Sequence, residues 1–301
     1  MTDTQPLALS IVIPSVNGWA DLDRCLGALA GERAATSIEV LVPERCGPSV
    51  RDGAVKKYPW ARIMPVDKSV TIPQMRALAF REAKAPNVAV IEDHIIVPPG
   101  WVKAMLTART NDARVVGGGL VNAATDTITD WAAWLCEYNH LAVAMPSGKV
   151  DGIHGNHTIY DGALLRELRD VTESGRWEDA LHEAIKAKGI ALWARPDIVA
   201  GHKKHYTIGE YTSQRFYYSR AYAAMRVKSE GLAKRLAYGA FAFALPPLLF
   251  YRIVSRVWSG NLYRSHLLPS LPLLALFVCS WGLGEVAGAW FGDGGALAKV
   301  C

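Results

Sequence analysis

The sequence predicts an α/β fold in which a mostly parallel sheet is flanked by helices and followed by C-terminal hydrophobic, membrane-associated helices. Three observations carry this. Short apolar or β-branched runs at residues 9–14, 38–42 and 88–91 alternate with helix-length segments, the pattern of βαβ units. These runs are nearly continuous in apolar residues, as strands covered on both faces are. Near the C-terminus stand two long uncharged stretches, residues 236–251 and 267–284.

The 301 residues suffice for one large α/β domain, expected over 1–232, and a smaller helical segment over 233–301. Half of the residues are hydrophobic and 20% are charged, which is apolar for an enzyme free in solution. Cys25, Cys46, Cys136, Cys279 and Cys301 form no CxxC pair. That argues against zinc-ribbon and dithiol redox motifs and for a reducing compartment. Residues 1–9 read as too polar for the core of a signal peptide. The net charge of +5 is uneven: residues 201–266 hold eleven Lys or Arg against Glu210 and Glu230, so that segment is +9 and the remainder −4. A basic belt beside apolar runs fits anionic lipid headgroups better than nucleic acid.

In chain order, residues 9–14 form the first strand and Ser15-Val16-Asn17-Gly18 the turn after it. Asp21 or Asp23 can cap a helix whose Leu22, Leu26 and Leu29 share one face. Residues 38–42 are the second strand, ended by Pro43, and 63–66 a weak third. Pro73 suits the first turn of the helix that holds Arg76. The run at 88–91 ends in Glu92-Asp93-His94, side chains able to hold a metal or a proton, before Pro98-Pro99-Gly100 forces a turn. Open α/β sheets bind ligands beyond the carboxyl ends of their strands. A site is expected there, although a strand end decorated with solvated charge reads the same.

Residues 115–121 form a strand whose three glycines mark a bulge or a close backbone approach. Trp131, Trp134 and Tyr138 fall on one helix face, for packing or for stacking on a sugar. Glu178-Asp179 open an amphipathic run with Leu181 and Ile185. They read as acids favoured by a helix N-terminus or as a general base. Residues 190–198 form a last strand, with His202 after it.

The order and spacing of these segments over residues 9–220 resemble the inverting family 2 glycosyltransferases of GT-A (Rossmann-like) fold. Val12-Ile13-Pro14-Ser15-Val16-Asn17 is similar to that family's opening V-I-P-T-x-N, and Cys25-Leu26 fits the L-x-x-C-L after it. The resemblance makes Pro14 and Asn17 part of the donor site. Glu44 stands where the family's V-D-D-G-S sets an Asp on the nucleobase, though Pro43-Glu44-Arg45-Cys46-Gly47 otherwise departs from it. Residues 71–79 resemble the G-x-x-x-A-R-N-x-G helix start, which turns Arg76 toward the donor pyrophosphate. Glu92-Asp93-His94 resembles the D-x-D segment, with Glu92-x-His94 in place of the acidic pair. On this resemblance Glu92 and Asp93 meet the donor, while Glu92, Asp93 and His94, with His202, hold Mn²⁺ (or Mg²⁺). Imidazole favours manganese.

Residues 152–166 resemble the acceptor-side G-x-N-x-x-x-R-x-x-L, with Asn156 at its Asn. Arg176-Trp177-Glu178-Asp179 resembles the E-D motif, which assigns Trp177 to the acceptor and Asp179, then Glu178, to the base for the attacking hydroxyl. Residues 214–220 resemble only loosely the Q-x-x-R-W of processive members, since the Trp is missing. The resemblance implies a membrane-associated, metal-dependent inverting hexosyltransferase of cell-envelope glycan biosynthesis, with a cytoplasmic catalytic domain. Its substrates would be a nucleotide-sugar and a lipid-linked or glycan acceptor. The alternatives are a polyprenyl-phosphate sugar synthase, which needs no such base, and a non-catalytic nucleotide-sugar-binding membrane protein.

Residues 236–251, broken by Pro246-Pro247, are short for a membrane span, while 267–284 approach the ~20 residues needed. If both cross, Arg252, Arg256 and Arg264 fall opposite the N-terminal domain although both flanks are basic, against the positive-inside preference. A kinked, re-entrant or interfacial first segment keeps all the arginines on one side. Two buried helices of a soluble protein would have the same composition.

Overall fold

The computed structural model describes residues 6–142 and 145–300. The chain divides into two compact units, Met1–Val121 with Met145–Lys203 and Asn122–Ala144 with Lys204–Cys301. The second unit is thus built from two separate stretches of chain and draws one helix from mid-chain.

Among the described residues nine strands form one sheet: β1 (Leu9–Val12), β2 (Ile38–Glu44), β3 (Ala61–Pro65), β4 (Asn87–Ile91), β5 (Ile95–Ile96), β6 (Val115–Asn122), β7 (Gly148–Val150), β8 (His157–Asp161) and β9 (Leu192–His202). Their order is β3-β2-β1-β4-β8-β6-β9-β5, with β7 on β9. The pairs among β1 to β4 are parallel, as the alternating pattern predicts. From β4 outward the ladders β4–β8, β6–β8, β5–β9 and β7–β9 are antiparallel. The sheet is thus mixed, and the parallel expectation holds for its N-terminal half.

The helices of this unit are α1 (Trp19–Glu32), α2 (Pro48–Lys57), α3 (Ile72–Glu82) and α4 (Trp101–Ala108), then, after α5 in the second unit, α6 (Gly162–Glu167), α7 (Arg169–Thr172) and α8 (Glu178–Ala187). Val12, Leu41, Val88, Val90, Leu164, Leu181 and Ile185 form a buried cluster between sheet and helices. Local chemistry sets the helix starts. Thr71 and Gln74 form a reciprocal capping box at α3 with a proline in its first turn. Gly18 takes φ 97° ahead of α1, a backbone conformation that side chains disfavour. The buried carboxylate of Glu32, at the end of α1, accepts from the N–H groups of Gly100 and Val102 at 2.7 and 2.8 Å and so caps α4.

The second unit contains α5 (Ile128–Tyr138), α9 (Ile208–Arg226), α10 (Leu232–Ala242), α11 (Leu245–Gly260) and α12 (Arg264–Phe291). α12 is its axis, and α5, α9, α10 and α11 all pack on it. α12 is long and apolar enough to cross a membrane, and α10 with α11 passes the same test as a pair bent by 50°. Arg215 on α9 is buried, paired with Glu137 at 3.1 Å and flanked by the rings of Tyr211, Tyr218 and Trp281. The aromatic face of α5 packs: Trp131 stacks on His266 at 3.6 Å and Trp134 on Tyr138 at 4.5 Å. Gly284 and Gly288 lie one helical turn apart where α12 meets α9. A Cβ at 284 would overlap Ser219 and the Phe216 carbonyl, and one at 288 the Arg220 carbonyl. Gly284→Ala should therefore lower stability by about 1–3 kcal/mol, seen as a lower denaturation midpoint.

Candidate functional site

The candidate site lies in the first unit, where β4 ends. Beyond β4 the Ile95 N–H donates to the Glu92 carbonyl at 3.0 Å, closing a turn over residues 92–95 that sets the side chains of Glu92 and His94 beside each other. β5 pairs with β9 so that Ile95 stands opposite His202. That ladder carries His202 to the same spot: the two Nε2 atoms of His94 and His202 are 3.0 Å apart, and His94 Nε2 is 3.3 Å from Glu92 Oε2. One donor atom from each of the three residues lies within 4.8 Å of the others.

Bonds of about 2.1 Å to one ion set neighbouring donors about 3.0 to 3.4 Å apart, so these separations suit a shared divalent cation. On its other edge His94 Nδ1 lies 3.3 Å from Asp93 Oδ1 and 3.1 Å from Asn17 Nδ2. This orients the ring with Nε2 facing the cluster, as the outer partners of a metal-binding histidine do. Burial disfavours a charged imidazole, but hydrogen bonds and charge from Asp93 and Glu92 outweigh it and hold His94 at about 9. Burial likewise opposes the charge on Glu92 and Asp93, yet His94 keeps both carboxylates below their ordinary range.

Asp93 is not part of this donor set. It is fully buried; its Oδ2 accepts from the N–H groups of Val16 and Asn17 at 2.8 and 2.9 Å, and its Oδ1 from Asn17 Nδ2 at 2.6 Å. Of the carboxylates expected at a cation, Glu92 is in this candidate donor set, while both oxygens of Asp93 are taken up by the β1–α1 loop. Pro14 is buried at the end of β1 and Asn17 is half-buried in that loop. Glu44 is also fully buried. Its Oε1 accepts from Gly47 N–H at 2.8 Å and its Oε2 from Arg51 Nε at 2.5 Å. Its carboxylate shapes the β2–α2 loop and presents no open edge to a nucleobase.

Arg76 joins the cluster to α8. Its guanidinium is buried, with Nη1 on Glu178 Oε2 at 2.5 Å, Nη2 on Glu92 Oε1 at 3.4 Å and Cζ 5.9 Å above the ring of Trp177. Burial works against its charge, and the two carboxylates more than offset that and raise its pKa. Asn156 Nδ2 donates to Glu92 Oε2 at 3.0 Å. Arg76, Glu92, Asn156, Trp177 and Glu178, separated by up to 102 positions in sequence, thus converge. A narrow cleft of about 20 Å³, room for roughly one water, lies beside them, lined by Pro73, Arg76, Tyr160, Arg176, Trp177 and Glu178.

Asp179 is the next residue of α8, exposed, with its Oδ1 accepting from Ala180 N–H at 2.9 Å. Partial burial and the neighbouring charge of Glu178 raise its pKa. Two further residues belong to this region. His182, one turn beyond Glu178, is buried with its Nε2 2.9 Å from the Tyr160 hydroxyl, and burial pushes it down to about 4. Its spacing of four from Glu178 was the available signal. Gly155 seats the Glu178 side chain, which any Cβ at 155 would overlap. Gly155→Ala should displace Glu178 with a stability loss of about 1–3 kcal/mol, which thermal unfolding checks.

No family model matches the chain, and no curated protein sequence matches it. Among solved structures it is similar to the mannosyltransferase PcManGT from Pyrobaculum calidifontis, determined in complex with GDP-Man and Mn²⁺. That likeness covers 96% of this chain and 88% of the other, at 14% identity and a TM-score of 0.56. It is also similar to residues 1–349 of TarS from S. aureus in complex with UDP-GlcNAc, over 93% of this chain and 91% of that one, at 15% identity and a TM-score of 0.52. At such identities the likeness is one of fold. The chain has the mixed α/β sheet and flanking helices of these structures, the GT-A architecture expected from its sequence.

Proposed function

We propose that the chain is an inverting glycosyltransferase, dependent on a divalent cation, that moves a sugar from a nucleotide-sugar to a hydroxyl of a lipid-linked or membrane-proximal acceptor. The observation that carries this is the bridge made by Arg76, which ties the Glu92–His94–His202 cluster to the acidic start of α8. The PcManGT and TarS structures, solved with GDP-Man and Mn²⁺ and with UDP-GlcNAc, support the substrate class.

Glu92, His94 and His202 would hold the cation, Mn²⁺ in preference to Mg²⁺ because two of three donors are imidazoles. When bound, it would offset negative charge on the departing nucleoside diphosphate. Arg76 offers a second, permanent positive charge for the same phosphates. Asn156 fixes the orientation of Glu92, and Asp93 fixes the loop with Asn17 and Pro14 against which the donor would lie. Glu178 is engaged by Arg76 and sets its position. Asp179, exposed and with a raised pKa, takes the proton of the acceptor hydroxyl as its oxygen attacks the anomeric carbon. Trp177, buried beneath Arg76, forms the acceptor-side wall of the cleft. The basic and apolar C-terminal unit supports a site on the cytoplasmic face of a membrane.

The test is donor binding and turnover with UDP-, GDP- and dTDP-sugars, each with and without Mn²⁺. One donor whose binding strengthens with Mn²⁺ and which is consumed supports the reading. Failure to bind or turn over every donor would sink it.

A further inference from the structure

We propose that the C-terminal unit docks on an anionic bilayer by lying in its headgroup region, through the outer face of the bent α10–α11 pair and one stripe of α12, and that α12 does not cross. This rests on the membrane association proposed under the function and is independent of the transfer chemistry.

By length and composition α12 could span. Its surroundings argue otherwise. Ser270, Ser280 and Glu285 are buried within the unit. Ser280 Oγ donates to the Thr212 carbonyl at 2.7 Å, and Glu285 pairs with Arg226 at 3.0 Å. α9 runs alongside α12: Tyr211 meets Phe277, Ser219 and Phe216 meet Gly284, and Arg220 and Ala223 meet Gly288. If α12 crossed the hydrocarbon, α9 would enter with it and carry Arg215, Arg220 and Arg226 along. Each charged residue at mid-membrane is costly even on the lenient insertion scales. A helix so accompanied stays out.

The lipid-facing surface is elsewhere. Phe241, Phe243, Leu248, Tyr251 and Trp258 on and between α10 and α11 stand in solvent, from 48% exposed at Leu248 to 78% at Phe241. On α12, exposed Leu268, Leu276 and Leu283 recur at spacings of eight and seven, one helical stripe. Charge identifies the occupant. Helices α10 to α12 carry Lys234, Arg235, Arg252, Arg256 and Arg264. Their one acid, Glu285, is buried on Arg226. The charge along these helices is therefore mostly positive, with Glu230 just before α10 paired to Lys234 at 2.9 Å, and Tyr251 and Trp258 are the residue types that favour the headgroup level. Such a face suits anionic headgroups. A second copy of the chain would bring like charge against like.

The test uses the full chain. Flotation with phosphatidylcholine vesicles, alone or with about a third phosphatidylglycerol, should show at least tenfold tighter binding to the anionic vesicles, weakened by salt. The double variant Phe243→Glu, Leu248→Glu should lose vesicle binding while keeping its circular dichroism and its nucleotide-sugar binding. That last measurement reads the transferase proposal separately. In membrane vesicles of both orientations, Asn261→Cys and Asp293→Cys should gain impermeant-maleimide labelling over the parent from the same side. Labelling from opposite sides would show that α12 crosses. Absence of vesicle binding would also overturn the proposal, as would parent dimers that the double variant dissociates without changing vesicle binding.

Discussion

His94→Ala is expected to abolish Mn²⁺ binding measurable by titration calorimetry and to lower kcat by about a thousandfold, because a cation opposite a leaving diphosphate is worth several kcal/mol in the transition state. The ring faces His202 and Glu92 through Nε2 and Asp93 and Asn17 through Nδ1. Its loss therefore removes a donor and also leaves two buried or half-buried carboxylates without their nearest positive partner. His202→Ala separates the two effects. It removes the facing Nε2 and leaves the contacts of Asp93 with Val16 and Asn17 intact. The expected result is comparable loss of Mn²⁺ affinity with a smaller fall in thermal stability. Retention of full Mn²⁺-dependent turnover by both variants would refute the cation site.

Asp179→Asn is the second large effect. Removing a general base lowers rates by about 10²–10⁴-fold, and here the loss should fall on kcat with donor affinity unchanged. In the parent enzyme a base must be deprotonated, so kcat/KM should rise with pH through the Asp179 pKa, which lies above the ordinary 3.8. The variant should lack that acidic limb. Glu178→Gln should behave differently: it breaks the ion pair with Arg76 and should weaken donor binding along with turnover. If Asp179→Asn keeps parental activity, the acceptor is a group that needs no base, such as a phosphate.

Much of this arrangement was legible in the chain. The apolar runs of β1, β2 and β4, each closed by turn residues, announced parallel strands, and Glu92-Asp93-His94 stood out at the end of one of them. That the amides of Val16 and Asn17, 77 and 76 positions away, would take up Asp93 was not readable there. Glu44 illustrates another limit, since nothing local reveals that Gly47 and Arg51 consume both of its oxygens. The insertion of β8, antiparallel, between β4 and β6 depends on pairings between distant segments, which hydrophobic period does not encode. α12 is apolar around its whole circumference, and composition reads the same for a core helix and a span. Its partners, among them α5 from mid-chain and the arginine-bearing α9, are visible only in three dimensions.

Asp93 makes the β1–α1 loop and the tip of β4 one mechanical piece. A single carboxylate holds two backbone amides and a side-chain amide 76 and 77 positions upstream, and rests against the imidazole beside it. Replacing Asn17 would thus loosen Asp93 and the imidazole of His94 in the same stroke, since its side-chain amide touches both.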